Sequence, residues 1–283
     1  MRRKSSLILK TYLNQNPPET QEALLRFLPE EERIYLSELP DIENEEEPQE
    51  VEFDSLLDKV HWSWFLPTLK TFSARDQRLF LLVLNPYAAE QLKASLSIKN
   101  GTEEITEIAK TFLRQQLLLS LEAPEEGLLP VEYLPASPLN RLLALNKKDL
   151  MRLIDSLALY DFAQEARQIV ETKILKKIYS LLSEEQKNIL KKITIHKESN
   201  PLPKLGIDKW EGTKESLRVL LHRRGLARLS IALSGEPRDL IWMVCHKLDV
   251  GRGGTLFRLC AQEHKGPAAD TIIRQIEELL DLL

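Results

Sequence analysis

Glycine, cysteine and long apolar runs are scarce in this sequence, and each scarcity removes a class of protein. The 283 residues include ten glycines and two cysteines, Cys245 and Cys260. Two cysteines are too few for a disulfide framework, which favours a protein of a reducing compartment. No apolar run reaches the roughly 18 residues that a transmembrane helix needs. We therefore expect a soluble cytoplasmic protein that does not insert into a membrane.

The sequence also lacks the compact motifs that mark catalytic and nucleotide sites. It has no Gly-x-x-x-x-Gly-Lys-Ser/Thr phosphate loop, no Gly-x-Ser-x-Gly elbow and no His-Glu-x-x-His pair. The glycine-rich run at 250–254 follows a helical stretch, so we interpret it as a flexible turn between helices rather than a phosphate cradle. We predict no catalytic residue, no cofactor site and no metal site.

Two alternatives that would involve chemistry stay open. Cys260 and His264 are spaced i, i+4 on a predicted helix, and Cys245 or His246 could join them at a metal ion. Zinc sites need four ligands, often in Cys-x-x-Cys knuckles, and no such knuckle is present. An enzyme with a dispersed site would need a deep polar pocket lined by several histidines, drawn from His61, His196, His222 and His264.

Charge is unevenly distributed along the chain. Residues 1–130 contain 14 basic and 23 acidic side chains, and residues 131–283 contain 25 basic and 20 acidic side chains. The second part is only mildly basic, so we predict no nucleic-acid partner. Eight of the fourteen residues at 41–54 are acidic, which predicts a solvated linker. An acidic docking strip for a basic partner is the alternative for this segment.

Prolines and glycines mark further breaks in the chain. A proline-rich stretch predicts a second linker at 123–137, and the helical pattern is interrupted again at 197–212. Between the breaks we predict three helical parts: an N-terminal segment at 1–40, a middle domain at 55–122, and a C-terminal region at 138–283 that divides into 138–197 and 213–283.

The segments between the breaks have the composition and the start signals of helices. Leu, Glu, Lys, Gln and Arg dominate, and all of them favour helix. Ser73, Asn146 and Ser183 each precede an apolar-periodic stretch and can accept hydrogen bonds at a helix start, while Pro29 suits a first helical position. We predict an all-α fold of short helices, roughly 8 to 16 residues each, stacked as divergent helical repeats in two to three subdomains.

One candidate partner-binding surface is the densest aromatic cluster of the chain. It consists of His61, Trp62, Trp64 and Phe65. Tryptophan and other aromatic side chains carry much of the binding energy at protein interfaces, which favours a docking patch. A core anchor is the alternative for the same residues.

A second candidate surface is basic. It consists of Arg218, His222, Arg223 and Arg224, next to Gly225, which we interpret as the C-cap of their helix. Electrostatic docking of an acidic partner is the functional interpretation, and a solvated basic helix face is the alternative.

Several stretches resemble the FliG family of flagellar motor switch proteins. Leu217–Leu248 is similar to the C-terminal region of that family, and its signature portion is Leu229–Gly235 followed by Asp239 and Leu240. Glu22–Glu32 resembles the N-terminal repeats, in which helices start after a Leu-Pro-Glu-Glu turn.

Other positions depart from the family. His61 matches one residue of the Glu-His-Pro-Gln motif of the middle domain, where Trp62 replaces the proline. The acidic pair of the family's torque helix would fall near Thr213 and Lys214, and Glu215 stands where a basic residue follows that pair. These departures point away from contact with stator units.

The resemblance implies a non-enzymatic adaptor on the cytosolic side of a type III secretion or flagellar-type apparatus. It favours an SctK-type accessory protein of a non-flagellar system, associated with the cytosolic face of the inner membrane. Such a protein would bridge an inner-membrane ring protein and the cytoplasmic ring or pod proteins. A generic helical-repeat scaffold that is unrelated to secretion is the alternative.

Overall fold

A computed structural model of the chain describes residues 3–39, 54–99, 101, 104–121, 128–167, 172–193, 202–207, 210–262 and 266–282. Within these ranges the secondary structure is entirely helical, and no strand is present. The all-α prediction is therefore confirmed. The chain divides into two compact units, and each of them combines two stretches of sequence.

The first unit contains residues 1–137 and 237–250. Fully buried leucines and Phe65 form its core. Short 3-10 turns occur at Trp62–Trp64 and Val131–Tyr133. Its α-helices are α1 Arg3–Asn14, α2 Pro18–Leu25, α3 Glu30–Glu38, α4 Asp54–Lys59, α5 Leu66–Leu69, α6 Ala74–Leu81, α7 Pro86–Leu96, α8 Glu107–Leu119 and α13 Arg238–Lys247.

The second unit contains residues 138–236 and 251–283. A 3-10 segment at Pro138–Leu143 leads into a bundle in which two long helices, α9 and α12, pack along each other, with α11 and α15 beside them. Its helices are α9 Lys147–Ala166, α10 Thr172–Leu181, α11 Glu184–Lys192, α12 Lys214–Leu233, α14 Val250–Cys260 (which starts at the last residue of the first unit) and α15 Pro267–Leu280.

Several helix starts follow the predicted capping chemistry. The side chains of Ser73 and Asn146 accept hydrogen bonds from the third backbone N–H of the helix that each precedes, at 3.2 and 3.0 Å. Ser183 and Gln186 form a reciprocal capping box, with distances of 3.1 and 3.0 Å. Pro29 occupies the N-cap of α3 rather than the predicted first helical position. These local interactions confirm the predicted helix starts to within one residue.

The two central helices of the second unit are longer than predicted. Both α9 and α12 contain 20 residues, above the expected range of short helices. Most side chains between Leu150 and Ala163 are buried, so α9 is covered by protein on nearly all sides. Burial of this kind stabilises a helix far more than the propensity of its residues.

Gly225 does not end a helix, which corrects the predicted C-cap. It lies in the middle of α12, and a Cβ atom placed on it would come within 1.8 Å of the carbonyl oxygen of Ile154 in α9. The glycine is therefore needed because the two helix backbones approach closely, and not because its backbone dihedral angles are unusual.

The glycine-rich run at 250–254 is also helical rather than a turn. It forms the first part of α14, which starts directly after the short connection that follows α13. Gly254 has open space where a Cβ would lie. The flexible turn that we predicted from these glycines is therefore wrong.

The predicted linkers lie only partly within the described residues. Of the acidic segment 41–54, only Asp54 is described, as the first residue of α4. Residues 128–137 of the proline-rich segment are described, and the unit boundary falls at its end, between Ser137 and Pro138. Residues 237–250 belong to the first unit although no break in the sequence sets them apart, because their side chains pack with segments far away in the chain.

Candidate functional site

The aromatic cluster at 61–65 is packed against α13 in the first unit. Trp64 stacks on the ring of His246 with centroids 4.0 Å apart, and its indole N–H donates to the carbonyl oxygen of Leu248 at 2.9 Å. The backbone N–H of His61 donates to the carbonyl oxygen of His246 at 2.8 Å. Phe65 is fully buried. These contacts are those of a core anchor, and we exclude Phe65 from any docking surface.

His246 is held between two tryptophans. Its ring stacks on Trp242 at 3.7 Å as well as on Trp64, and its Nδ1–H donates to the carbonyl oxygen of Trp242 at 2.8 Å. Its Nε2 is buried and has no hydrogen-bond partner among the described residues. Burial lowers the pKa of His246 to about 4, so the ring is neutral at physiological pH. The spacing of Trp242 and His246 by one helical turn was the only sequence signal for this stack.

Three members of the aromatic cluster retain exposed surface. His61, Trp62 and Trp64 are partly exposed, and the rings of His61 and Trp62 lie 5.3 Å apart. The Nδ1 atom of His61 accepts from the backbone N–H of Ser63 at 3.3 Å, which caps the 3-10 turn. The residues that could meet a partner here are therefore Trp62 and the exposed edges of His61 and Trp64.

The arginines of the predicted basic surface on α12 differ in their exposure to solvent. Arg218 and Arg223 are exposed, whereas Arg224 is buried and pairs with Asp161 at 3.3 Å. Arg224 also donates to the carbonyl oxygen of Pro203. Only the first two arginines can therefore contribute to an electrostatic docking surface, and we exclude Arg224 from it.

His222 belongs to a hydrogen-bonded chain rather than to a free basic face. Its Nε2 accepts from Nε of Arg252 at 3.1 Å, so its Nδ1 carries the proton that it donates to Asp155 at 2.7 Å. Both ring nitrogens are occupied. The pair of His222 and Asp155 resembles part of a catalytic triad, but the nitrogen that would act as a base is already engaged by an arginine.

A third surface, which the sequence analysis missed, lies on α8. Ile108, Phe112 and Leu119 are 84, 58 and 68% exposed, and Gln115 is exposed as well. The four positions follow a 4-3-4 spacing, which places them along one line of the helix. That spacing is visible in the sequence, but a core-facing stripe has the same spacing, so it did not by itself identify the surface.

An apolar groove runs beside the α8 surface in the first unit. It has a volume of about 520 Å³ and lies between α8 and the segment from α5 to α6. Its walls include Phe72 and Phe80, whose rings stack at 5.0 Å, together with Leu113 and Leu117. Exposed apolar side chains beside an apolar groove make the groove and the α8 surface a candidate site of interaction.

The described residues contain no arrangement of side chains that supports a metal site or a site of clustered histidines. No group of three or more His, Cys, Asp or Glu side chains that could hold a metal ion occurs among the described residues. Cys245 and Cys260 are buried and form no disulfide bond, and burial raises the pKa of the Cys260 thiol to about 12. His196 and His264 lie outside the described residues.

Comparisons with protein-family models, with curated proteins and with solved structures found no match for the chain. No helix in the described ranges is both long enough and apolar enough to span a bilayer.

Proposed function

We propose that this protein is a non-enzymatic adaptor on the cytosolic side of a type III secretion or flagellar-type apparatus. It binds inner-membrane ring and cytoplasmic ring or pod proteins through helix faces. The observation that carries this proposal is the exposed line of Ile108, Phe112 and Leu119 beside an apolar groove.

A partner that covers the α8 surface would gain a large binding free energy. Burying a side chain of this size contributes about 1.5–3 kcal/mol relative to full exposure. Ile108, Phe112 and Leu119 are more than half exposed, so covering all three contributes roughly 4 kcal/mol, about a thousandfold in Kd. Such a gain favours a stable partner rather than a solvated helix face.

The partner that fits the α8 surface is an amphipathic helix with an apolar heptad seam. Residues spaced 4-3-4 match the knobs and holes of a second helix, and Gln115 in the middle of the line sets the register. Lys110 and Arg114 are already paired, with Glu107 at 2.7 Å and Asp58 at 3.4 Å.

One unpaired charge of the groove can contribute to the choice of partner. Asp76 lines the groove and forms no ion pair with any described residue. A lysine or arginine beside the partner's apolar seam would therefore complement the site.

The assignment to a secretion apparatus is supported by the residues that resemble the FliG family. In the second unit, Leu229 and Leu233 of the signature are buried in α12. In the first unit, Asp239 accepts from Lys4 at 2.6 Å and from the backbone N–H of Leu129 at 2.8 Å. These residues have packing roles, so the resemblance rests on core positions.

Recovery of the full-length chain from cells with an intact secretion apparatus tests the proposal. We expect ring or pod proteins to co-purify with the wild-type chain, and F112E to reduce their recovery at least tenfold. The matched control is Y87E, because Tyr87 is 66% exposed on α7 and does not line the groove. Recovery of no ring or pod protein by the wild-type chain would refute the secretion assignment. Unchanged recovery with F112E would refute the role of the α8 surface.

A further inference from the structure

A second cleft lies in the second unit, where α9, the turn between α10 and α11, and the first turns of α12 meet. It has a volume of about 460 Å³, which is within the range of roughly 300–1,000 Å³ typical of binding sites. Its apolar floor consists of four leucines, Leu181, Leu182, Leu217 and Leu221.

The α12 side of this cleft presents two cations that are not neutralised. Lys214 and Arg218 are exposed, line the cleft and form no ion pair with any described residue. They are separated by one helical turn, so their side chains project along the same edge, about 5–6 Å apart at Cβ. Leu217 and Leu221 follow the same periodicity, so α12 offers the cleft alternating positive and apolar positions.

The charged side chains on the opposite side of the cleft are already engaged in hydrogen bonds. Arg152 donates to Glu185 and, at 2.9 Å, to Asp149, and Asp155 accepts from His222 at 2.7 Å. Hydrogen bonds to these carboxylates raise the pKa of Arg152. The lining of the cleft therefore has three cations, Arg152, Lys214 and Arg218, against two carboxylates, Asp155 and Glu185, and the two cations that form no ion pair with any described residue both lie on the α12 edge.

We propose that this cleft binds an acidic amphipathic helix of a partner protein. Two carboxylates one turn apart on that helix pair with Lys214 and Arg218, and its apolar side chains cover the leucine floor. The occupant is argued from charge complementarity, because an apolar floor beside two unpaired cations selects a ligand that is both apolar and anionic.

The inference rests on the proposed function only in assigning protein partners to the chain. The cleft and the α8 surface belong to different units and are built from different residues. Peptide binding can be measured on the purified chain without any secretion component. A failure here would therefore leave the α8 result standing, and the converse also holds.

The test uses a designed peptide and the full-length chain. The peptide has 14 residues on an alanine background, with Glu at positions 3 and 7 and Leu at positions 4, 8 and 11, and its control carries Gln in place of both glutamates. We expect saturable binding of the Glu peptide by fluorescence anisotropy, at least tenfold weaker binding of the Gln peptide, and weakening of the Glu complex with added salt.

Charge reversal at the cleft locates the binding site. We expect K214E and R218E each to weaken binding of the Glu peptide at least tenfold. The control K192E makes the same charge change at an exposed lysine of α11 that does not line the cleft, and we expect it to bind within twofold of wild type. Unchanged thermal unfolding of the variants establishes that they remain folded.

Three results would overturn the inference. They are absence of peptide binding, equal binding of the Glu and Gln peptides, and equal weakening by K192E and R218E. Anionic lipid vesicles (phosphatidylcholine with phosphatidylserine) and inorganic phosphate serve as competitors. Displacement of the peptide by either of them at equal or lower concentration would assign the two cations to a lipid or phosphate site instead.

Discussion

Acidification from pH 7.5 to 5.0 is expected to destabilise the first unit by about 2 kcal/mol through His246 alone. The ring is buried between Trp64 and Trp242, and burial lowers its pKa from 6.5 to about 4 in the folded state. A histidine with a lowered folded pKa gives its full stability above the unfolded value of 6.5, and that stability is lost as the pH falls from there towards 4.

The magnitude follows from the two pKa values. At pH 5.0 the unfolded histidine is almost entirely protonated, whereas about a tenth of the folded molecules carry the proton. The free energy of unfolding therefore falls by about 2 kcal/mol between pH 7.5 and 5.0, out of a total of about 3 kcal/mol for the full shift.

Urea unfolding followed by tryptophan fluorescence measures this loss. Three of the four tryptophans lie in the first unit, and W210F removes the one in the second unit, so the signal reports the unit that contains His246. H246F in the same background keeps an aromatic ring between the two tryptophans but does not titrate.

All other titrating groups are shared by the two proteins, so their difference isolates His246. We expect the chain with His246 to lose about 2 kcal/mol more than H246F between the two pH values. Equal losses would show that the ring is not buried in neutral form, and the reasoning would fail.

Other predictions concern the core and the caps of the second unit. Gly225→Ala is expected to lower the free energy of unfolding by about 3 kcal/mol or more, because its Cβ would meet the Ile154 carbonyl oxygen. Gly254→Ala, in open space within α14, is expected to raise it by up to about 1 kcal/mol, and equal effects would contradict the close approach. Asp161→Ala leaves two buried arginines without their carboxylate and is expected to cost about 3–5 kcal/mol in urea unfolding; a loss below about 1 kcal/mol would refute that pairing. Ser183→Ala removes a capping box and is expected to cost about 1 kcal/mol, with the loss of Tm measured by circular dichroism.

The helix starts were predictable because the interactions that define them are local. Ser73, Asn146 and Ser183 bond to backbone groups three residues ahead, so a window of four residues contains the whole interaction. Composition added the rest of the fold class, since strand-forming alternation was absent and good helix formers dominated.

The roles of Gly225 and of the arginines in α12 were harder to predict from the sequence. Gly225 reads as a helix end in its own sequence context, and only the position of Ile154, far away in the chain, shows why a side chain is excluded. Arg224 and Arg218 share a helix, yet one is buried against Asp161 and the other is exposed. A basic pattern on a helix does not reveal which side another helix will cover.

The candidate sites could also be predicted only in part from the sequence. The aromatic segment at 61–65 stood out in the sequence, but its stacking on His246 depends on residues about 180 positions later. The α8 surface was missed because Ile108, Phe112 and Leu119 have the spacing of an ordinary core-facing stripe. Solvent exposure, which distinguishes a docking face from a core face, depends on the neighbouring helices.

The sequence by itself determined that the chain is helical and where many of its helices begin, because backbone hydrogen bonds and caps act over three or four residues. The tertiary structure decided which helix faces are covered, which charges are paired and which glycine is irreplaceable. Those properties depend on contacts between segments that are remote in the chain. Ile154 meets Gly225 within the second unit, and Trp64 meets His246 within the first, only when each unit is folded.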